Sequence, residues 1–391
     1  MNNANNHLKN RHETLFLWDV RKSNPNGDPN GNEPRIDRHT KRCDITDVCI
    51  KRSIRNFIAT KNGLNNILVT KLGDDASETV TLTDRISNYL FGTAEQIKKI
   101  KDIVGQHVEG KLDKTQEPYK FFNEKPSPAT LKTIISSKKE DKDKLKKILI
   151  NKDIDIETLQ SGIVKDLRAY LCGAFSDLRM FGSVLALEKE LNSLGGPITG
   201  PIQIEIGTSL HRVVQSNKQI TSVMGSKEEK EAGIIGDTHC IEYGLFATSA
   251  IANENAARFT GLADADHELF LKALWRGTRD RHTRSKNQVP RLLIDIEYNK
   301  PFHFGDLVTA ITLKPVERNG KPVDEEAYRS IDDFSLDLTK FCQKANSKEA
   351  AINSIKFVSN GLLELEQFKN KNGLSNGLKN KVTEITDINF D

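Results

Sequence analysis

The run Ser23-Asn24-Pro25-Asn26-Gly27-Asp28-Pro29-Asn30-Gly31-Asn32 constrains the fold of this chain more than any other stretch. It comes just after the apolar run Thr14–Val20 (TLFLWDV), whose β-forming residues predict a buried first strand. Asn, Gly and Asp tolerate positive φ and bond to nearby backbone, so the strand must stop here and the chain must turn. Two readings of the turn stay open. It is an ordinary surface loop, or a concavity whose backbone N–H groups face a phosphate, which Gly and Asn permit.

Beyond the loop, a helix is predicted from about Thr46 to Ala59, capped by Asp44 or Thr46. Ile50, Ile54, Phe57 and Ile58 share one face. Lys51, Arg52 and Arg55 lie off that face as neighbours, and a solvated basic face is the plain account of them. Residues 82–150 read as a polar, helical insertion, with Lys138–Lys152 a charge-laced surface helix docked by Leu145, Ile148 and Leu149. A second helical block spans Ile163–Leu191 and includes Asp177-Leu178-Arg179-Met180-Phe181-Gly182. Ile198–Ile206 alternates and predicts one strand, with Gly200-Pro201 marking an edge or bulge. Gly207–Asp237 has a charged tip flanked by β-like pieces (His211–Val214, Gln219–Met224, Ile234-Ile235) and reads as a projecting β-hairpin arm.

Strands are then predicted at His239–Ala252, Pro290–Tyr298, Asp306–Leu313 and Ile355–Val358, and helices at Asp264–Thr278 and Asp332–Ala345. Residues 1–13 read as a disordered leader, and the Asn-, Gly- and Lys-rich end is expected to fray. This order predicts an α+β sandwich with a mostly antiparallel sheet and helices on one face, for which the ferredoxin-like β-α-β-β-α-β arrangement is one solution.

The chain has 391 residues, 37% of them hydrophobic and 29% charged, which is ample for a core under a polar surface. Its net charge is only +4, so a polyanion would have to be held by local clusters. The five cysteines (Cys43, Cys49, Cys172, Cys240, Cys342) include no C-x-x-C pair, and the nine histidines form no H-x-x-x-H. A structural zinc site and a disulfide framework are therefore not expected; the thiols read as reduced and buried in a cytoplasmic protein. The N-terminus lacks an apolar h-region, and no apolar run of about 18 residues occurs, so neither secretion nor membrane spanning is expected.

No phosphate loop of the G-x-x-x-x-G-K-[ST] kind is present, and no G-x-S-x-G elbow. Asp28, Asp37, Asp44 and Asp47 include carboxylates that could pair on Mg²⁺, but Asp28 suits a turn and Asp44 a helix cap. No catalytic residue, metal or cofactor is expected, and what remains is binding. Basic groups fall in four places: the first helix, Arg179, the arm (His211, Arg212, Lys218), and the run Arg276, Arg279, Arg281, Arg284, Lys286, where Asp280 is the sole local offset. Such groups grip phosphate without reading sequence. Aromatics are sparse beside them, which argues against repeated base stacking on a sheet.

At this point the residues resemble a family. LFLWDVRKSNPNGDPNGNEPRID followed by DITDVCIKRSIRNFI is similar to the opening of the backbone subunit of type I CRISPR Cascade complexes, most of all the subtype I-B branch. DLRMFG, GPIQIEIGTSLHRV, HCIEYGLF and SKNQVPRLLI follow in matching order, so the resemblance spans roughly residues 14–315. It implies an RNA-recognition-motif-like palm (14–80, 161–206 and 239–360), a helical fingers insertion (81–160), a β-hairpin thumb (207–238) and a flexible tail (361–391). It also implies a non-enzymatic subunit that polymerises head to tail along a CRISPR guide RNA and leaves bases free to pair with target DNA. Asn24, Asn26 and Gly27 would lie beside guide phosphates, and Lys51, Arg52, Arg55 and Arg179 would line the same groove. Arg276, Arg284 and Lys286 would bind phosphates or the neighbouring copy, and Val223 and Met224 would form the thumb wedge. Large, small and guide-capping subunits are the implied companions, with a nuclease-helicase or transposition proteins beyond them. The resemblance also raises an alternative, a metal-dependent RNA-cleaving subunit of type III kind, for which Asp37 is the positional candidate.

Overall fold

The computed structural model describes residues 7–70, 80–221, 235–283, 286–360, 370–386 and 388. The chain divides into two compact units, one formed by residues 8–58, 202–254 and 264–391, the other by 1–7, 59–201 and 255–263.

The first unit is built on a large sheet. Its strand order is Val382–Glu384, Ile352–Ser359, Gln288–Tyr298, Arg11–Ser23, Ile235–Ala252, Gly207–Ser209, Cys43–Ile45, Arg35–Ile36. Ile202–Ile204 and Gln215–Thr221 also pair with the long strand Ile235–Ala252. All pairs are antiparallel except Ile352–Ser359 with Val382–Glu384. The first strand starts at Arg11 and Leu8 is fully buried, so the expected leader is already structured there.

Both faces of this sheet are covered, which is why the first strand is apolar without a break rather than alternating. Leu15 and Leu17 enter a core with Leu292, Ile294, Ile296, Ile355 and Phe357, closed by Phe334, Leu336, Leu338 and Phe341. On the other face Phe16 meets Trp275 of the helix Asp264–Asp280 (6.4 Å between ring centres), and Trp18 stacks on Phe246 (5.7 Å). Each such fully buried ring contributes on the order of 1.5–3 kcal/mol. The expectation of helices on one face is thus corrected, because residues 307–345 close the second face.

Their local structure differs from expectation too. Asp306–Leu313 is a 3-10 turn (Leu307–Ala310) leading into a short strand, Thr312–Pro315, which pairs with Phe334–Asp337. The predicted helix Asp332–Ala345 is that strand followed by the helix Thr339–Ser347. Phe334 and Leu336 are buried while Ser335 is exposed, the two-residue period of a strand. The tail is also corrected: residues 376–379 are helical, Val382–Glu384 joins the sheet, and Leu374, Leu378 and Val382 are buried.

The second unit is mainly helical: Leu82–Phe91, Ala94–Val108, Tyr119–Glu124, Pro128–Ile135, Lys139–Lys147, Ile156–Ala174 and Ser176–Phe181. Thr81, Thr93, Ser127 and Asp155 each cap the helix that follows. Its core gathers Leu90, Ile100, Val104, Leu131, Ile163, Leu167 and Leu171. The predicted strand Ile198–Ile206 is two strands broken at Gly200-Pro201. Gly196–Thr199 pairs with Gly182–Leu185 in this unit, and Ile202–Ile204 pairs with Ala250–Ala252 in the other.

Candidate nucleic-acid interface

The loop after the first strand is held from inside. Asn24 Nδ2 donates to Asn32 O (2.6 Å), and Asn26 Oδ1 accepts from Thr46 N (2.9 Å) and Thr46 Oγ1 (2.8 Å). Thr46 Oγ1 in turn accepts from Cys49 N, so the loop and the start of the helix Asp47–Asn62 are tied together. A Cβ on Gly27 would lie 2.0 Å from Asn32 Oδ1, so no larger residue fits there without moving Asn32. Lys286 closes the arrangement by donating Nζ to Asn24 O and Pro25 O (2.9 Å). Burial lowers the pKa of Lys286. Asn24, Asn26, Gly27 and Lys286 are therefore brought together, but as the frame of the loop.

The helices Asp47–Asn62 and Asp264–Asp280 pack closely. A Cβ on Gly277 would fall 2.5 Å from Ser53 O, so only glycine allows this approach. Arg276 lies over the Phe57 ring at 5.4 Å, and Arg281 Nη1 reaches Cys49 O (3.3 Å), Cys49 Sγ (3.1 Å) and Ser53 Oγ (3.3 Å). Lys51 pairs with Asp47 (2.9 Å), Arg52 is exposed and Arg55 is half-buried. Among the described residues of 47–59 and 276–286 there are seven Lys or Arg against two Asp, so this ridge is far more cationic than the chain average. Arg276 is distinctive: its Nε and Nη1 are buried and meet no partner among the described residues.

Other expected cations are placed elsewhere. Arg179 belongs to the helical unit, where its Nη1 donates to Cys172 O (2.8 Å) and Gly173 O (3.0 Å). His211 is buried and stacked on Tyr243; burial lowers its pKa, and its Nε2 accepts from Leu245 N (3.1 Å). Arg212 is held by Asp324, Glu325 and Glu326. Within the expected arm cluster, Lys218 is the cation left exposed. Arg284, Val223 and Met224 lie outside the described residues.

Two buried polar clusters went unread in the sequence. Arg291 donates Nε (2.9 Å) and Nη2 (2.6 Å) to Asp19 Oδ2, while burial pushes the Asp19 carboxyl up. Asp295 accepts from Thr14 Oγ1 (2.7 Å) and lies 2.9 Å from His12 Nδ1 and 3.1 Å from His267 Nε2. Burial works to raise its pKa, but the two imidazoles outweigh it and hold Asp295 well below the usual carboxylate range. The signal was present: an acid flanked by apolar residues in each strand, Asp19 in TLFLWDV and Asp295 in LLIDIEY. His12, His267 and Asp295 also form a group able to hold a metal ion. A metal on His267 Nε2 would leave Nδ1–H buried with no acceptor, since that atom has no partner. Metal-bound histidines almost always donate this second hydrogen, so the donor set fits a hydrogen-bonded cluster and not a metal centre.

Asp37 is exposed, and its Oδ1 accepts from His39 N (3.1 Å), Thr40 N (2.7 Å) and Thr40 Oγ1 (2.8 Å). These bonds lower its pKa, and they make it a turn-former. Among the described residues no helix is long and apolar enough to cross a membrane.

A cationic ridge of this kind is equipped to receive phosphate groups. The family model for CRISPR-associated protein Cas7 matches residues 10–339, and the chain belongs to that family. A curated relative from Haloferax volcanii, described as CRISPR-associated protein Cas7, is 28% identical over 376 residues, covering 91% of this chain and 89% of its own. A chain of a solved CRISPR RNA-guided surveillance complex in a pre-nicking state aligns with TM-score 0.47 and 14% identity, covering 96% of each chain. A chain of a second CRISPR RNA-guided surveillance complex aligns with TM-score 0.41 and 12% identity, covering 89% of this chain and 88% of its own.

Proposed function

We propose that this chain is the repeating guide-RNA-binding backbone subunit of a type I, subtype I-B, CRISPR surveillance complex, acting as scaffold and not catalyst in the cytoplasm. The observation that carries the reading is the ridge itself, seven described Lys or Arg against two Asp, with Arg52 and Arg279 exposed. Exposed guanidinium groups crowded on one face with few carboxylates to offset them attract an anion supplied by a partner. Ribose-phosphate supplies that charge at regular intervals.

In this reading residues 14–80, 161–206 and 239–360 form the palm, 81–160 the fingers and 207–238 the thumb. Arg52, Arg55 and Arg276 face guide phosphates directly, joined by Lys51 and Arg284. Asn24, Asn26, Gly27 and Lys286 hold the loop that borders them, and Arg179 acts from the palm. Val223 and Met224 form the wedge between nucleotides. Copies join head to tail in a helical filament, since a repeated contact that does not close generates one. The guide's free bases read target DNA, while the protein contributes charge and shape. Large, small and guide-capping subunits complete the complex, and a nuclease-helicase or transposition proteins act after target pairing.

The test is binding of a guide-length single-stranded RNA across a salt series. Arg52→Ala with Arg276→Ala is expected to weaken binding and to flatten the dependence of log K on log salt by roughly 0.7 per contact removed. Identical curves for the variant and the parent protein would overturn the ridge as the RNA site.

A further inference from the structure

We propose that Arg212, gripped by the acidic turn Asp324–Glu326, is a positioning residue that fixes how the hairpin leaves the sheet, and so the spacing at which each copy engages its RNA. This rests on the RNA-binding reading above.

The first arm of the hairpin, Gln215–Thr221, pairs along its length only with Ile235–Ile241. No other described strand borders it, so its direction is set at its root, residues 211–214. That root is fastened from three sides. His211 Nδ1 donates to Arg212 O (2.8 Å) while its Nε2 accepts from Leu245 N, tying the root to the long strand. Val213 N donates to Lys41 O (2.9 Å). Arg212 N donates to Glu325 Oε2 (3.0 Å), and its guanidinium meets Asp324 Oδ2 (2.9 Å), Glu326 Oε1 (3.4 Å) and Glu325 Oε2 (3.5 Å).

The acidic turn also has a bond of its own, Glu326 N donating to Asp324 Oδ1 (2.9 Å). Lys41 pairs with Glu326 (3.1 Å), and Arg329 Nη1 donates to Glu326 O (2.7 Å). With its guanidinium occupied by three carboxylates, Arg212 is set apart from the phosphate-facing cations of the ridge. The pairs are well exposed, Arg212 at 42% and Asp324 at 64%. Exposed pairs add little to stability. Three acceptors converging on one planar fork do fix direction, since a guanidinium satisfies them in a single orientation.

The experiment is ribonuclease footprinting of the protein assembled on a guide-length single-stranded RNA of defined sequence. The parent protein is expected to give regularly spaced protection. Arg212→Ala, and separately Asp324→Asn with Glu326→Gln, are expected to retain RNA but lose the regular spacing, and Arg212→Lys to restore part of it. Regular spacing kept in both disrupted variants overturns the positioning role while leaving the RNA-binding reading intact. Absence of protection with the parent protein overturns both.

Discussion

Asp295 lies in the middle of the sheet between two imidazoles, and its charge sets how the chain answers to pH. His12 is raised above 6.5: burial lowers it, but Asp295 outweighs burial. Its contribution to stability is complete below 6.5 and disappears as pH rises through the folded value. His267 is lowered by burial, so it favours folding above 6.5 and opposes it as the pH falls. Asp295 is lowered from 3.8, so its contribution holds above that pH and is lost as pH falls through the folded value. His267 and Asp295 therefore act together on the acid side, and the acid limb of stability should be steep. Asp295→Asn is expected to cost roughly 3–5 kcal/mol at neutral pH and to flatten that limb. Urea unfolding between pH 3 and 8 checks it, and an unchanged midpoint at pH 7 would remove this cluster as a source of stability. Residues of this kind were the least legible in the sequence. Counting cations marked Arg276 and Arg212 alike as phosphate contacts, yet Arg212 meets carboxylates more than a hundred positions away, and a one-dimensional count is blind to such partners.

The helix Asp47–Asn62 was legible almost to its ends, because Ile50, Ile54, Phe57 and Ile58 repeat with its period and all are buried. Its partner Asp264–Asp280 was legible for the same reason. Their distance of approach was not, since it depends on one missing side chain, at Gly277. Gly277→Val forces a Cβ to within 2.5 Å of Ser53 O and 3.3 Å of Phe57 Cβ. The helices must separate, at an expected cost of about 1–3 kcal/mol. Thermal unfolding reads the loss, and RNA binding should weaken in parallel because Arg276 and Arg279 ride on the displaced helix. A variant with undiminished melting temperature would show that the helices tolerate the shift. Residues 198–206 failed as one strand for a different reason. Alternation reports that a segment is extended and half-buried, but not which sheet receives it, and here two sheets in different units share the segment.

For the whole molecule, the net charge of +4 hides a ridge with seven described cations, which is why composition alone said little. The α+β class and the mainly antiparallel sheet followed from the order of elements. The closure of the second face did not, because the strand and helix of residues 307–347 carry short, mixed patterns. Asp37 offers a check on the scaffold reading as a whole. Its carboxylate is committed to the turn at His39 and Thr40, so the protein incubated with Mg²⁺ and RNA complementary to its guide is expected to leave that RNA intact. Cuts at regular intervals, abolished by Asp37→Ala, would make it a nuclease instead. The strand order carries one more consequence. The ten-stranded sheet ends in Arg35–Ile36 on one side and Val382–Glu384 on the other, strands of two and three residues. With those ends so short, the free backbone amides of the described sheet gather on the seven-residue strand Gln215–Thr221, which pairs on one side only, and crowded molecules would extend a fibril there first.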